Sequence, residues 1–353
     1  MAESDKNEIF LSPAPHIVNP VTTQKLMMYM LLALVPQVAF SVYIYSMMAF
    51  SRICLSVLTT VATEAIYRRV FYRDSRVSDL SAVVTGTLLG LVIPPTLPII
   101  YIILGGVFAI IVGKEFFGGL GANPFNPALL GRAFMFVSFL KPMTSWISTK
   151  NWRWDIVGSA TTQNNMLAAC SSATPLGFLK PGGEHGLLTA TQLAEKLGYS
   201  SANDLYLHMF IGDRSGCVGE SSILLILLSA VFLIVMKVID WRTPVSMIVT
   251  TVVISFLAGV DPLLSLMSGG LVFGAVFMAT DYATTPVTPL GRIGFGMGCG
   301  IITALIRLFA GIPEGVMYSI LIMNAFVPFL DRLIPKKYGF VKKPRDSKKG
   351  ESK

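Results

Sequence analysis

Apolar residues in this chain do not alternate with polar ones. They fall in long runs separated by charged or Pro/Gly-rich breaks. A helix needs about 20 apolar residues to cross a hydrocarbon layer. On that criterion the pattern predicts spans near 27–49, 52–68, 80–96, 97–113 and 125–141, and a second set near 222–239, 243–259, 262–280, 291–311 and 314–331. Several are short or broken by Gly and Pro, which a bilayer tolerates only where the freed backbone groups face protein or water. Such helices point to an internal site. The expected fold is an all-α integral membrane protein of about ten transmembrane helices.

Five spans, one long loop and five more spans imply two halves of opposite orientation, because an odd number of crossings inverts the second half. The expected organisation is an N-terminal segment 1–26, a first five-helix repeat 27–141, a large loop 142–220, a second repeat 221–332 and a basic tail 333–353. Internal similarity is faint. The third span of each half carries a small-xxx-small pair, Gly86 with Gly90 and Gly270 with Gly274, and each runs into a proline-rich end. Such glycines let helix backbones approach closely, and inverted repeats with broken third helices resemble ion-pathway architectures with sites between the repeats.

Composition sharpens the class. Hydrophobic residues make up 53% and charged residues 14%, against roughly a quarter charged in soluble domains, which excludes a soluble enzyme and makes lipid the main surrounding partner. The net charge of +8 does not call for nucleic acid, since nine Lys and Arg lie after Leu330, where a solvated tail beside anionic lipid explains them. With both termini cytoplasmic, the inside loops carry Arg68, Arg69, Arg73 and Arg76, then Lys114, Lys237, Arg242 and Arg292. That satisfies the positive-inside rule and turns the large loop outward. Residues 1–24 are polar and hold Pro13, Pro15 and Pro20, which is not the pattern of a cleavable signal peptide. The four cysteines are scattered without metal-site spacing, so no metal is expected; Cys170 and Cys217 share the outward loop and could pair there.

Three stretches are too specific for lipid-facing filler. The first, Gly118 to Arg132, contains Asn123 and Asn126, each before a proline at the start of a span. The two amides either cap that helix or, with its free N–H groups, hold a polar ligand. The second runs from Ala279 to Arg292 and contains Asp281. Ionisable groups at membrane depth are costly, so Asp281 and Glu64 are candidates for an ion or proton route; pairing of Asp281 with Arg292 or Arg132 is the plainer alternative. The third, Ser171-Ser172-Ala173-Thr174-Pro175-Leu176, lies in the outward loop, with Gly158-Ser-Ala-Thr161 as a weaker parallel. Pro175 biases Thr174 to an extended backbone that presents its hydroxyl. No Gly-rich phosphate loop follows a strand, so nucleotide chemistry belongs to partners.

The Asn-Pro-Phe-Asn-Pro-Ala core, Ser171–Leu176, Gly216-Cys-Val-Gly-Glu-Ser221 and Met278-Ala-Thr-Asp281 occur in this order along nearly the whole chain. In this combination the sequence resembles the D-subunit family of bacterial Rnf electron-transport complexes, which is related to the B subunits of sodium-pumping NADH:quinone reductases. The resemblance implies FMN joined through its phosphate to a threonine by a flavin transferase. Carried over, the attachment point is Thr174 within Ser171, Ser172 and Ala173, with Thr161 as the alternative. The motif often has an acidic residue three places before its first Ser/Thr, where this chain has Ala168; Asp155 holds that place relative to Thr161. The resemblance also implies a second, non-covalent flavin, riboflavin, for which Asn123, Asn126 and Arg132 are the candidate wall. Implied partners are the other Rnf subunits, including an outward flavin subunit and further membrane subunits, in a bacterial cytoplasmic membrane. The rival readings are a secondary transporter or channel on the same scaffold and a passive assembly scaffold.

Overall fold

The computed structural model describes residues 22–72, 76–146, 189–196, 199–212, 216–310 and 315–332. Among these every regular element is helical. The first, α1 (Thr23–Phe71), covers both of the first two expected spans and breaks at Ser46, where φ is 58°. Met27 lines the same cavity as Lys114, and Lys114 pairs with Glu64. A straight helix would hold residues 27 and 64 on the order of 55 Å apart. The chain therefore folds back at Ser46, and α1 is a helical hairpin.

The surface of this hairpin is the reverse of a soluble helix. Its buried positions include Gln37, Ser41, Ser56, Thr60 and Glu64, while Leu32, Val35, Leu58, Ile66 and Val70 are exposed. An apolar outside around a polar inside is stable only where the surrounding solvent is hydrocarbon. Three helical segments, Thr23–Phe71, Ile99–Phe117 and Pro289–Phe309, are long and apolar enough to cross a bilayer, and five shorter apolar helices accompany them. The protein is read as helical and membrane-embedded on these grounds.

Next come α2 (Ser81–Leu91), α3 (Ile99–Ile111), α4 (Pro127–Ser138) and the short α5 (Leu140–Met143). The small helices α6 (Ala190–Lys196) and α7 (Ala202–Ile211) precede α8 (Ile223–Val235) and α9 (Arg242–Leu257). The expected span 262–280 is broken into α10 (Pro262–Met267), α11 (Leu271–Phe273) and a π-helical turn over Gly274–Met278. The described chain closes with α12 (Pro289–Phe309) and α13 (Val316–Leu330). Helix ends fall within a few residues of the sequence expectation, but spans three and eight are interrupted, as their prolines and glycines require.

The interrupted elements run in opposite directions. α2 starts at Ser81 beside Lys114 and ends at Leu91, whose carbonyl accepts from the Gly219 N–H at 2.6 Å. The second starts at Gly270, against the Glu220 carboxylate, and ends where the Met278 carbonyl accepts from the Asn126 amide at 3.3 Å. Their small-xxx-small pairs do different work. A Cβ on Gly86 or Gly90 would meet the α1 backbone at Val57 or Ile53, whereas Gly270 makes room for a carboxylate and Gly274 for Val316. A satellite cluster joins α6 and α7 to the far end of the second half, with Leu193, Leu205 and Met209 on Val260, Leu264 and Leu308. There Tyr206 donates to Asp261 Oδ2 at 2.7 Å, and burial, then that carboxylate, push its phenol up to about 12.

Candidate functional site

A cavity lined almost wholly by the first half of the chain, with Asp281 from the second, is built on the glycine-rich turn after α3. Gly118, Gly119 and Gly121 all adopt positive φ, which reverses the chain and brings Asn123 and Asn126 back over it. Asn126 is the N-cap of α4, accepting from Ala128 N–H (3.0 Å) and Leu129 N–H (3.3 Å), with Pro127 in the first turn. Asn324, in the amide orientation that satisfies its neighbours, accepts from the Asn126 N–H and donates to the Thr284 and Ile320 carbonyls. Asn123 makes a turn of its own, accepting from Gly121 N–H (3.2 Å) and donating to the Phe125 carbonyl (3.0 Å). The capping alternative therefore holds for Asn126 and not for Asn123.

The cavity is small and open at its mouth, with about 40 Å³ of space for the centres of water-sized molecules. Met27, Val84 and Leu88 give it an apolar wall, and Ser81, Thr85, Lys114, Asn123, Asn126 and Asp281 a polar one. At its floor the Lys114 ammonium donates to Glu64 Oε2 at 2.7 Å and to Ser81 Oγ at 2.5 Å. Ser81 is oriented by Asp79, whose Oδ1 accepts from both its N–H (3.0 Å) and its hydroxyl (2.7 Å). Arg68 lies 3.5 Å from Glu64 Oε1 and 3.3 Å from Glu115 Oε1. Thus Glu64, fully buried in the second arm of α1, shares one network with two cations and a second carboxylate. Asp281 accepts from Thr284 Oγ1 at 3.1 Å, and among the described residues no cation pairs with it.

Arg292 has another partner. Asp240 Oδ2 accepts from Arg292 Nη1 at 2.6 Å and from Arg242 Nη1 at 3.1 Å. Burial alone would raise the Asp240 carboxyl, but the Arg242 N–H and the two guanidiniums outweigh it and hold the group below the usual range. A depressed carboxyl stabilises fully above its unfolded value and loses that contribution as pH falls through the folded one. Asp240→Asn should therefore flatten the acid limb of thermal stability below about pH 4. An unchanged acid slope in the variant would refute this.

A family model for the NQR2, RnfD, RnfE family matches residues 10–339. The chain belongs to that family. Among its relatives, the D subunit of the Na(+)-translocating ferredoxin:NAD(+) oxidoreductase complex of Acetobacterium woodii is 36% identical over 97% of this chain and 99% of that protein. The D subunit of the Proton-translocating ferredoxin:NAD(+) oxidoreductase complex of Clostridium ljungdahlii is 38% identical over 96% and 98%. The D subunit of the Ion-translocating oxidoreductase complex of Stutzerimonas stutzeri is 36% identical over 90% and 92%. The resemblance read from the motifs is thus correct at family level.

Within this NQR2, RnfD, RnfE member the structure brings some sequence-singled residues together and separates others. Glu64 meets the cavity through Lys114, and Asn123, Asn126 and Asp281 line it. Arg132 does not: two turns into α4, its Nη2 donates to Cys217 Sγ at 3.2 Å and its Nη1 lies 3.8 Å from Glu220 Oε1. Arg132 thus stands apart from the two asparagines, because α4 carries it away from the cavity. Thr174, Thr161, Ser171, Ser172, Ala173 and Cys170 lie outside the described residues. By pattern alone Lys114 is one more cytoplasmic-loop charge and Glu220 a motif residue without a partner in sequence; the one local signal at Lys114 is the Lys-Glu pair that follows an apolar run without a second basic residue.

Proposed function

We propose that the chain is the membrane subunit of a redox-driven, ion-translocating electron-transport complex of the Rnf type. It carries electrons through FMN bound covalently at Thr174, with Thr161 as the alternative, and couples their flow to movement of Na⁺ or H⁺. The observation that carries this reading is the family match from residue 10 to 339, together with relatives covered over nine-tenths of their length whose names state ion translocation. FMN supplies the electron chemistry when bound, and the protein supplies tether, position and insulation. The inverted five-helix repeats, the outward loop, cytoplasmic termini in a bacterial inner membrane, the other complex subunits and a flavin transferase belong to the same proposal. The opposed running directions of α2 and the 270–278 element support the inverted repeat.

The cavity mouth is the candidate place for a second flavin, riboflavin, by the character of its lining alone: its wall is apolar on one side and polar on the other. Asn123 would meet the ring there; Asn126 is occupied by capping. For ion movement the chain offers Asp281, which lines the cavity, and Glu64, which meets it through Lys114.

Mass spectrometry of peptides from the chain co-expressed with a flavin transferase is expected to show an FMN phosphoester on Thr174 that disappears in Thr174→Ala. An adduct on Thr161 would move the site and keep the function; none in a transferase-positive host would favour a non-redox transporter. Separately, Asp281→Asn or Glu64→Gln is expected to cut ion movement per electron by roughly tenfold or more. Full pumping in either variant removes that residue from the route.

A further inference from the structure

Lys114 has no part in the reading above, and its placement is unusual. Its side chain is 1% exposed, although a lysine this close to a helix end normally extends its head into water. Here the ammonium turns inward to the cavity floor and is held between two oxygens, Glu64 Oε2 at 2.7 Å and Ser81 Oγ at 2.5 Å. The Ser81 hydroxyl proton is already given to Asp79, so a lone pair faces the ammonium. The contact to Glu64 has the length of a charge-assisted hydrogen bond, and carboxylate and hydroxyl oxygens of this kind are also the ligands that a hard cation takes. Glu64 Oε1 is buried with no hydrogen-bond donor; only Arg68 Nε approaches it, at 3.5 Å.

The charge count agrees. Glu64, Asp79, Glu115 and Asp281 are four carboxylates set around the floor and its network, against the two cations Lys114 and Arg68. An ammonium that left with nothing in its place would strand a fully buried carboxylate. A cation exchanged for the ammonium keeps both charge and oxygen contacts. A proton would satisfy one carboxylate but would not use the second oxygen.

We propose that the Lys114 ammonium is a tethered stand-in for an alkali cation of the Na⁺ class, filling an oxygen-lined site between Glu64 and Ser81. Na⁺ entering through the cavity takes that place, and the ammonium swings on its flexible stem toward Asp281, which lines the same cavity. Glu64 is thereby never left bare. The inference rests on the ion-coupled reading and adds the ligands, the cation class and the device that guards the empty site.

The test is carbodiimide labelling of Glu64, read by mass spectrometry, in membranes holding the full chain with its partners at fixed neutral pH. In the parent and in Lys114→Arg, Glu64 stays ionised and paired and labels slowly. In Lys114→Met it is expected to label roughly tenfold faster or more in choline chloride, and NaCl is expected to restore the slow rate. Adding Ser81→Ala should weaken that Na⁺ protection by roughly tenfold. A purely structural ion pair gives no Na⁺ effect. Slow labelling of Lys114→Met in choline, or fast labelling equal in both salts, overturns the proposal; Lys114→Gln is read identically where the methionine variant does not accumulate. The same samples are read for flavin on Thr174. An adduct without Na⁺ protection sinks the stand-in alone, and protection without an adduct sinks the redox reading alone.

Discussion

Glu220→Ala is expected to destabilise the protein by roughly 1–3 kcal/mol, the cost of removing one partner of a buried charge. Glu220 and Arg132 are only 4% and 5% exposed, 3.8 Å apart. Three elements meet on this pair. Arg132 projects from α4, Glu220 closes the 216–222 segment, and its carboxylate occupies the space that Gly270 leaves at the start of the second interrupted element. The guanidinium also donates to Cys217 Sγ at 3.2 Å, a contact that the variant leaves in place. Unfolding in a graded SDS titration measures the loss. Glu220→Gln, which keeps volume and one acceptor, should lose less, and Arg132→Met with Glu220→Ala should recover part of it, because removing both charges abolishes the desolvation problem. Equal losses for the alanine and glutamine variants would show that the charge is not what matters.

Most of the fold was legible because a membrane helix announces itself by length and hydropathy. The early end of the third span was legible too, since Pro94, Pro95 and Pro98 follow it and cannot lie inside a helix without loss of backbone hydrogen bonds, and in the eighth span Gly269 and Gly270 stand at the break. The hairpin at Ser46 was legible only as a boundary. Nothing in Tyr45-Ser46-Met47 is a standard turn signal, and the reversal depends on a serine with φ 58° held by packing on both arms. The small-xxx-small pairs illustrate a different limit. Spacing reports that something comes close, but not whether it is a backbone, as at Gly86, or a carboxylate, as at Gly270.

Of the site, the residues with a local mechanism were readable and those defined by distant partners were not. Asn126 before Pro127 is a cap by short-range geometry, and it is one. Arg132 was grouped with Asn126 by sequence proximity, yet six residues of helix carry it about 9 Å along the axis, to a different cluster. Lys114 read as one more positive-inside charge, and only the tertiary structure shows that its head is turned inward onto Glu64, 50 positions earlier. Charge rules count residues; they do not say which way a side chain points.

Gly86→Ala should cost about 2–3 kcal/mol, near the top of the overpacking range, from a single methyl group. The added carbon would lie 2.7 Å from Val57 Cα and closer still to Thr60 Oγ1. Backbone cannot rotate away, and Thr60 is pinned by its own donation to the Ala82 carbonyl at 3.0 Å while Ser56 Oγ donates to the Gly86 carbonyl at 2.8 Å. The variant must therefore push α2 off α1 and loosen both interhelical hydrogen bonds. Gly105→Ala is the matched comparison. Its methyl would first meet the Met135 side chain, nearest at Sδ, and an unbranched thioether yields more readily than backbone, so the expected cost is smaller, about 1 kcal/mol. The displacement also reaches the cavity floor, since Ser81 sits on the same short helix as Gly86 and holds the Lys114 ammonium. Gly86→Ala should thus speed carbodiimide labelling of Glu64 as well as lower stability, whereas Gly105→Ala should cost less and leave the labelling unchanged. Similar stability losses in the two variants would mean that the α1–α2 contact has slack, and that the glycine is not what seats α2 against the cavity.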